Sequence, residues 1–150
     1  MIYLVTRILA SAACVLLLAG LAGCNGNGPS GPSSTAPFSV VDLRAGTGTE
    51  AANGMFMTVN YTGWLYDPTK PDSKGIQFDT SANSPDPFIF TLGTQTVIEG
   101  WDRGLVGMKV GGIRKLVIPS SLAYGASRNQ SIPPFATLVF EVELLDIQDQ

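Results

Sequence analysis

The residues whose types and spacing are most suggestive of chemistry are aromatic. Trp101 lies in the segment VIEGWDRGLVGM, residues 97–108. Five more aromatic residues lie on separate strand-like runs and loops, each beside a turn or strand signal: Tyr61, Phe78, Phe88, Tyr124 and Phe140. An aromatic-lined cavity floored by the indole is one arrangement that accommodates them, and such cavities bind ligands mainly through apolar contacts. The alternative is that Trp101 simply fills the core, as most tryptophans do.

Composition excludes several other chemistries. The chain has no histidine, which removes imidazole zinc sites, Ser-His and Cys-His nucleophile pairs and the commonest general base. We therefore expect no metal and no cofactor. The net charge is −3 and there is no basic patch, so a nucleic-acid partner is not expected.

The N-terminus has the pattern of an export signal. Arg7 precedes an apolar run at 8–23. The last three residues of this run and the following Cys24 read LAGC. LAGC resembles the lipobox of bacterial lipoprotein signal peptides. In that family the signal peptide is cleaved immediately before the cysteine of the lipobox, and this cysteine carries the lipid. An uncleaved anchor is the alternative, but the run falls short of the ~20 residues that span a bilayer.

These features divide the chain into a signal peptide at 1–23, a lipidated Cys24 with a Gly/Ser/Pro-rich tether at 24–37, and one domain at 38–150. Cys14 would leave with the signal peptide, so no disulfide is expected. Retention at the inner membrane usually requires Asp after the lipidated cysteine, and Asn25 stands there. We therefore expect a lipid-anchored monomer of the cell envelope, on the outer membrane and facing the periplasm.

The domain is predicted to consist mainly of β-strands. Five runs have strand character, and turn segments rich in glycine, proline or aspartate separate them: 38–44, 55–66, 87–92, 113–119 and 137–148. In the last run Leu138, Phe140, Val142 and Leu144 alternate with polar neighbours that include Glu141. This alternation predicts a sheet that is buried on one face and hydrated on the other.

The segment 97–108 is predicted to form a short helix. One side of it would carry Val97, Ile98, Trp101, Leu105 and Met108, with three glycines beside them at positions 100, 104 and 107. Each glycine costs about 1 kcal/mol relative to alanine inside a helix, so this helix forms only where other elements hold it. A side without Cβ atoms allows a close approach, and we infer a helix pressed into a curved sheet.

Several motifs in order identify a family. The stretches VNYTGWL, FDTS, PFIFTLGTQTVIEGWDRGLVGMKVGG, RKLVIPSSLAYG and IPPFATLVFEVELLDI resemble the FKBP-type peptidyl-prolyl cis-trans isomerases, from about 38 to 148. The resemblance implies an α+β fold, a twisted antiparallel β-sheet wrapped around one short α-helix. It also implies an enzyme that accelerates rotation about Xaa-Pro bonds in proline-containing polypeptides, and binding of the macrolides rapamycin and tacrolimus.

The resemblance also implies roles for individual residues. The prolyl ring would lie on Trp101, while Tyr61, Phe78 and Phe140 would surround the carbonyl that precedes proline. Tyr124 and the backbone N–H of Ile98 would hold flanking carbonyls. Phe88 and Val97 would complete the walls, Asp79 would lie at the rim, and Ile132 would lie on an overhanging loop. For Asp79 a turn cap in FDTS is the alternative, and for Tyr124 a core tyrosine bonded to the backbone.

The sequence departs from the family pattern at a few positions. Ser84 replaces an arginine that often pairs with the aspartate, Thr96 replaces an acidic residue, and Phe135 replaces a histidine. These changes keep two other hypotheses open: a module that captures proline-containing segments, or helps folding, with little turnover, and a structural lipoprotein whose pocket is filled.

Overall fold

The computed structural model describes residues 35–127 and 131–149. The predicted signal peptide, Cys24 and the tether up to residue 34 lie outside the described residues. Within them, no helix is both long enough and apolar enough to cross a membrane.

The domain is built on one antiparallel sheet. Its strands are β1 (Ser39–Arg44), β2 (Phe56–Tyr66), β3 (Lys74–Thr80), β4 (Phe88–Thr91), β5 (Ile113–Ile118) and β6 (Leu138–Gln148). The strand order is β1-β5-β6-β2-β3, and β4 also pairs with β2. Among the described residues the only α-helix is α1 (Glu99–Gly104). A six-stranded antiparallel sheet with one short helix confirms the predicted fold class.

The two long strands β2 and β6 form the centre of the sheet and bring the aromatic side chains together. Tyr61 is paired with Val142, and Gly63 with Phe140. The predicted alternation in β6 is confirmed, because Leu138, Phe140, Val142 and Leu144 are buried while the intervening glutamates are partly exposed. One face of the sheet therefore carries the core, and α1 packs on that face.

Helix α1 is shorter than the predicted segment. Ile98 is extended, with ψ of 147°, and stands immediately before the helix. At the other end Gly107 has a left-handed φ of +76°, which only glycine adopts without strain. Met108 therefore follows a turn, and its N–H donates to the carbonyl of Leu105. The 3.6-residue pattern indicated which side is buried, but the backbone at these two positions keeps both Ile98 and Met108 outside the helix.

The glycines of α1 allow the helix to lie against the sheet, as inferred from the sequence. A methyl group at Gly100 would overlap the side chain of Ile118, and a methyl group at Gly104 would come 2.7 Å from Leu116 Cδ2. Ile118 and Leu116 both belong to β5 and are fully buried. The close contact holds Trp101, which is 4% exposed, in a fixed position over the sheet.

Strand β3 was not predicted, because its first residues, Lys74 and Gly75, belong to a segment with turn character. Only Ile76 and Phe78 are apolar in this strand, and Ile76 is 74% exposed. An edge strand of this kind gains its stability from the ladder with β2, where Gly63 pairs with Asp79. Its own side chains give little signal, so pattern reading misses it.

Candidate functional site

A cavity of about 170 Å³ lies between α1 and the core face of the sheet. Its lining includes nine of the ten residues singled out in the sequence, together with one more, Thr96: Tyr61, Phe78, Asp79, Phe88, Val97, Ile98, Trp101, Tyr124 and Phe140. They come from four strands, the helix and two loops, which explains their wide separation in the sequence. The structure thus brings these side chains together, while their roles in turnover remain predictions.

The indole of Trp101 forms the floor, and the other rings stand almost perpendicular to it. The ring centroids lie 5.2 Å from Tyr61, 5.4 Å from Phe140 and 6.1 Å from Phe88, with interplanar angles of 82°, 86° and 83°. Edge-to-face pairs of this kind are favourable because ring edges are positive and ring faces negative. They fix each ring and leave the space between the rings open.

Tyr61 and Asp79 form the polar part of the wall. The Tyr61 hydroxyl donates to Asp79 Oδ2 at 2.7 Å, and the backbone N–H of Thr80 donates to Asp79 Oδ1 at 2.9 Å. Burial raises the pKa of Tyr61, and the hydrogen bond to Asp79 raises it further. Tyr61 is therefore a neutral hydroxyl at physiological pH, with its proton directed at the carboxylate.

The turn after β3 fixes this pair to β2. Ser81, only 7% exposed, accepts a hydrogen bond from the backbone N–H of Tyr61 at 2.9 Å. Thr80, and not Asp79, caps the following 3₁₀ turn, since its hydroxyl accepts from the N–H of Ala82. A turn-capping role for Asp79 would therefore explain its bond to the N–H of Thr80 but not its bond to the Tyr61 hydroxyl.

Ser84 does not contact this pair. Its Oγ accepts instead from the N–H of Asp86 at 3.3 Å. The aspartate thus has no arginine partner at this position, yet Tyr61 and Thr80 hold both of its carboxylate oxygens.

Gly63 supports the site and was missed by sequence reasoning. It is not among the lining residues, but it lies against two rings of the wall: a Cβ atom there would lie 2.7 Å from Phe78 Cζ and 2.8 Å from Phe140 Cε1. Phe78 and Phe140 meet edge to face across this gap, with centroids 5.5 Å apart. The alternation of β2 places residue 63 on the same face as Tyr61, which is the signal that could have identified it.

Asp102 holds the loop that forms the opposite wall. Its carboxylate accepts from the N–H groups of Gly93 at 2.8 Å and Gln95 at 2.9 Å. This loop leads directly to Thr96, Val97 and Ile98 in the cavity lining. Asp102 lies on the exposed side of α1 in the sequence pattern, so nothing in that pattern distinguished it from an ordinary hydrated acid.

Arg114 holds the C-terminal end of α1. Its guanidinium is buried and donates from Nη1 to the carbonyls of Gly104 at 2.9 Å and Val106 at 3.0 Å. The same group donates from Nε to Asp42 of β1 at 2.6 Å, and this hydrogen bond lowers the pKa of Asp42. The position of Trp101 therefore depends on packing from β5 and on a charged contact that reaches β1.

Tyr124 and Ile132 were both expected near the cavity opening, and they lie in different environments. Tyr124 lines the cavity and is 39% exposed; burial and the nearby charge of Asp79 raise its pKa. Ile132 is 4% exposed, belongs to the core, and is not part of the lining. The residues just before it, 128–130, lie outside the described residues.

Two residues of the cavity lining carry N–H donors without a partner. Trp101 Nε1 is buried with no hydrogen-bond partner among the described residues, and a buried donor of this kind is rare and lowers stability unless a ligand or water satisfies it. The described part of the chain supplies no acceptor for the backbone N–H of the half-buried Ile98 either.

A second cavity, of about 460 Å³, lies between the 81–87 loop and the hydrated side of the sheet. It is larger, and eight of its thirteen lining residues carry a hydroxyl or carboxylate group. Two of these carboxylates are already paired, Glu141 with Lys74 and Glu143 with Arg44. In the described ranges, 35–127 and 131–149, no three Cys, Asp or Glu side chains group closely enough to hold a metal ion.

Solved structures of known proteins resemble this chain in fold and in sequence. The solved structure of FkpA from Escherichia coli matches with a TM-score of 0.63 and 40% identity, covering 77% of this chain and 51% of that protein. The structure of AtFKBP13 matches with a TM-score of 0.63 and 32% identity, covering 74% of this chain and 93% of the other.

Related sequences agree with the structural matches. An FK506-binding protein of Neisseria meningitidis serogroup B is 50% identical over 111 residues, which cover 73% of this chain and 95% of that protein. Human peptidyl-prolyl cis-trans isomerase FKBP2 is 49% identical over 100 residues, 66% of each chain. The family model described as FKBP-type peptidyl-prolyl cis-trans isomerase matches residues 47–145. The chain therefore belongs to the FKBP-type peptidyl-prolyl cis-trans isomerases and is an enzyme of that class.

Proposed function

We propose that the cavity over Trp101 is where this isomerase rotates Xaa-Pro bonds. The observation that carries the proposal is the floor and walls of the cavity, where the rings of Tyr61, Phe88 and Phe140 stand perpendicular to a buried indole. A flat apolar floor with upright walls suits the pyrrolidine ring of proline, which is compact and has no N–H to satisfy.

The reaction needs no covalent step. Rotation of a peptide bond has a barrier of about 18–20 kcal/mol, because the C–N bond has partial double-bond character. In the twisted transition state this conjugation is lost, and the carbonyl oxygen carries less negative charge than in the planar amide. An apolar wall therefore disfavours the planar amide more than the twisted one. Only such differential stabilisation accelerates a reaction, by tenfold for each ~1.4 kcal/mol.

The polar groups of the cavity are proposed to orient the peptide. Tyr124 lines the cavity and is 39% exposed, and the Ile98 N–H is a donor without an acceptor in the described part of the chain, at the start of α1. Each can bind a carbonyl that flanks the Xaa-Pro pair. Asp79 acts through Tyr61, whose ring it holds by the 2.7 Å hydrogen bond, so we assign Asp79 a positioning role.

The decisive experiment measures cis-trans exchange of a Xaa-Pro peptide by NMR, with the full chain and with two variants. Phe78→Leu and Phe140→Leu keep apolar volume in the wall but remove the edge-to-face pair, and we expect both to lower kcat/KM at least tenfold. The control Ile76→Thr changes an exposed residue of β3 outside the cavity and should leave the rate unchanged. Equal rates for all four proteins would refute the assignment of the cavity. Binding of the peptide without any acceleration would instead indicate a capture module.

The cavity is also proposed to bind the macrolides tacrolimus and rapamycin. Several relatives carry the name FK506-binding protein, and the apolar lining around Trp101 suits a twisted prolyl-like amide. Either macrolide should quench the fluorescence of Trp101 and inhibit exchange of the peptide at the same concentrations. Binding that leaves exchange unaffected would place the macrolide outside the cavity.

The site of action is proposed to be the periplasmic side of the outer membrane, where the enzyme would act on proline-containing envelope proteins. The support is the LAGC stretch that ends at Cys24 and the Asn25 that follows it. Inhibition of lipoprotein signal peptidase in the expressing bacterium should leave a longer precursor, and Cys24→Ala should abolish the incorporation of labelled fatty acid that the wild-type chain shows. An unchanged mass under the inhibitor, together with a wild-type chain that incorporates no label, would refute lipidation.

A further inference from the structure

Phe135 occupies a conformation that its side chain disfavours. Residues Pro133 to Ala136 form a tight turn in which the N–H of Ala136 donates to the carbonyl of Pro133 at 3.3 Å. Phe135 is the third residue of this turn and has φ of +59°. Turns of this kind normally place glycine or asparagine at such a position, and a bulky residue there is a genuine outlier.

The aromatic ring gains little packing in return for this strain. Phe135 is 66% exposed, whereas Ile132 and Thr137 on either side of the turn are 4% and 6% exposed. The turn is thus anchored at both ends while the ring projects into solvent. Other strongly exposed apolar residues, such as Ile76 and Ile89, lie on strands in ordinary extended conformation, so Phe135 combines exposure with strain.

The turn lies beside the opening of the aromatic cavity. The Phe135 N–H donates to the carbonyl of Gly125 at 2.8 Å, and the N–H of Gly125 donates to the carbonyl of Ser120 at 2.8 Å. Gly125 directly follows Tyr124, which lines the cavity. The backbone that carries the exposed ring is therefore fixed next to a residue of the cavity wall.

We propose that Phe135 selects the client polypeptide by contacting an apolar side chain that flanks the Xaa-Pro pair. The inference rests on the proposed function of the cavity, since a polypeptide whose proline is seated over Trp101 must pass the opening on both sides. A strained residue persists when another benefit outweighs the strain, and such residues concentrate at functional sites. Contact with an aromatic or aliphatic client side chain would cover the exposed ring and supply that benefit.

The test compares peptides that share one Xaa-Pro pair and differ only in flanking residues. One peptide carries serine at the two positions on each side of the pair, and four others replace one of these serines by phenylalanine. We expect the full chain to prefer phenylalanine at one position by about three- to tenfold in kcat/KM, the range expected of an aromatic contact. Phe135→Asn and Phe135→Gly should abolish most of this preference and keep the rate on the all-serine peptide within twofold.

Two controls distinguish the possible explanations. Ile76→Thr removes a different exposed apolar side chain and should keep the preference. Thermal unfolding of Phe135→Asn should occur at the wild-type temperature or above it, because asparagine tolerates a positive φ. A wild-type enzyme with no flanking preference, variants that keep the full preference, or a lower melting temperature of Phe135→Asn would each overturn the proposal. Lack of acceleration on every peptide, including the all-serine one, would instead contradict the proposed function of the cavity.

Discussion

Gly63→Ala is expected to impair catalysis through two rings of the cavity wall. The added methyl carbon would lie 2.7 Å from Phe78 Cζ and 2.8 Å from Phe140 Cε1, whereas ordinary contact begins at 3.4 Å. Each ring must therefore move by about 0.6–0.7 Å at its contact point. Because Phe140 also packs on Trp101, the displacement changes the shape of the cavity. Overpacking of this kind costs about 1–3 kcal/mol of unfolding free energy.

The loss of activity should exceed what the loss of stability explains. Misplacement of catalytic groups by about 1 Å can cost up to ~100-fold in rate, and we expect kcat/KM of Gly63→Ala to fall at least tenfold in NMR exchange at 25 °C. The matched control is Gly111→Ala, where φ is +83° and no atom lies within 4 Å of an added Cβ. That substitution strains the backbone by about 1–2 kcal/mol but leaves the rings in place, so activity should stay within twofold. Equal activity of the two variants would refute the reasoning.

Three further outcomes test the contacts around the site. Asp102→Ala removes the acceptor of two loop N–H groups; it should lower the unfolding free energy in urea by about 1–3 kcal/mol and raise KM, and an unchanged KM would contradict its positioning role. The raised pKa of Tyr61 means that the unfolded chain ionises first as the pH rises, so stability should fall above about pH 10. That fall should be smaller in Tyr61→Phe, and identical slopes would contradict the assignment. The lowered pKa of Asp42 beside Arg114 gives stability that is present above pH 3.8 and lost as the pH falls. Asp42→Asn should thus be less stable than wild type at pH 7 by under about 1 kcal/mol, because Asp42 is half exposed. The difference in unfolding free energy should shrink as the pH falls below 3.8, and a difference that does not depend on pH would contradict the role of this carboxylate.

The sequence predicted the sheet, the buried side of α1 and most of the cavity lining because these depend on patterns with a fixed period. Alternation along β6 and glycines on one side of α1 both translate directly into a face. Gly63 and Asp102 were missed because their roles do not depend on any periodic pattern in the sequence. A glycine carries no side-chain signal, and an exposed acid becomes a loop anchor only through contacts with residues distant in space.

The periodic pattern of apolar residues also failed to predict strand β3 and the ends of α1. The pairing of Gly63 with Asp79 and the packing of Phe78 on Phe140 are both tertiary contacts, so the local sequence of this short strand does not reveal its conformation. The helix ends at Gly104, and the left-handed backbone of Gly107 keeps Met108 out of it; a glycine at that position fits equally well inside a weak helix or after its end. In both cases the local sequence is compatible with two conformations, and long-range contacts select one.

The weakness of α1 connects stability with catalysis. A six-residue helix with two internal glycines would not form alone, since helices shorter than about 12 residues are marginal even with favourable sequences. Its position is therefore fixed by Leu116, Ile118 and the guanidinium of Arg114. All three lie on β5 and none lines the cavity, yet their contacts help to set the position of Trp101 in the floor. Substitutions in β5 should therefore alter turnover before they unfold the domain, because they shift the floor of the cavity without removing any residue of its lining.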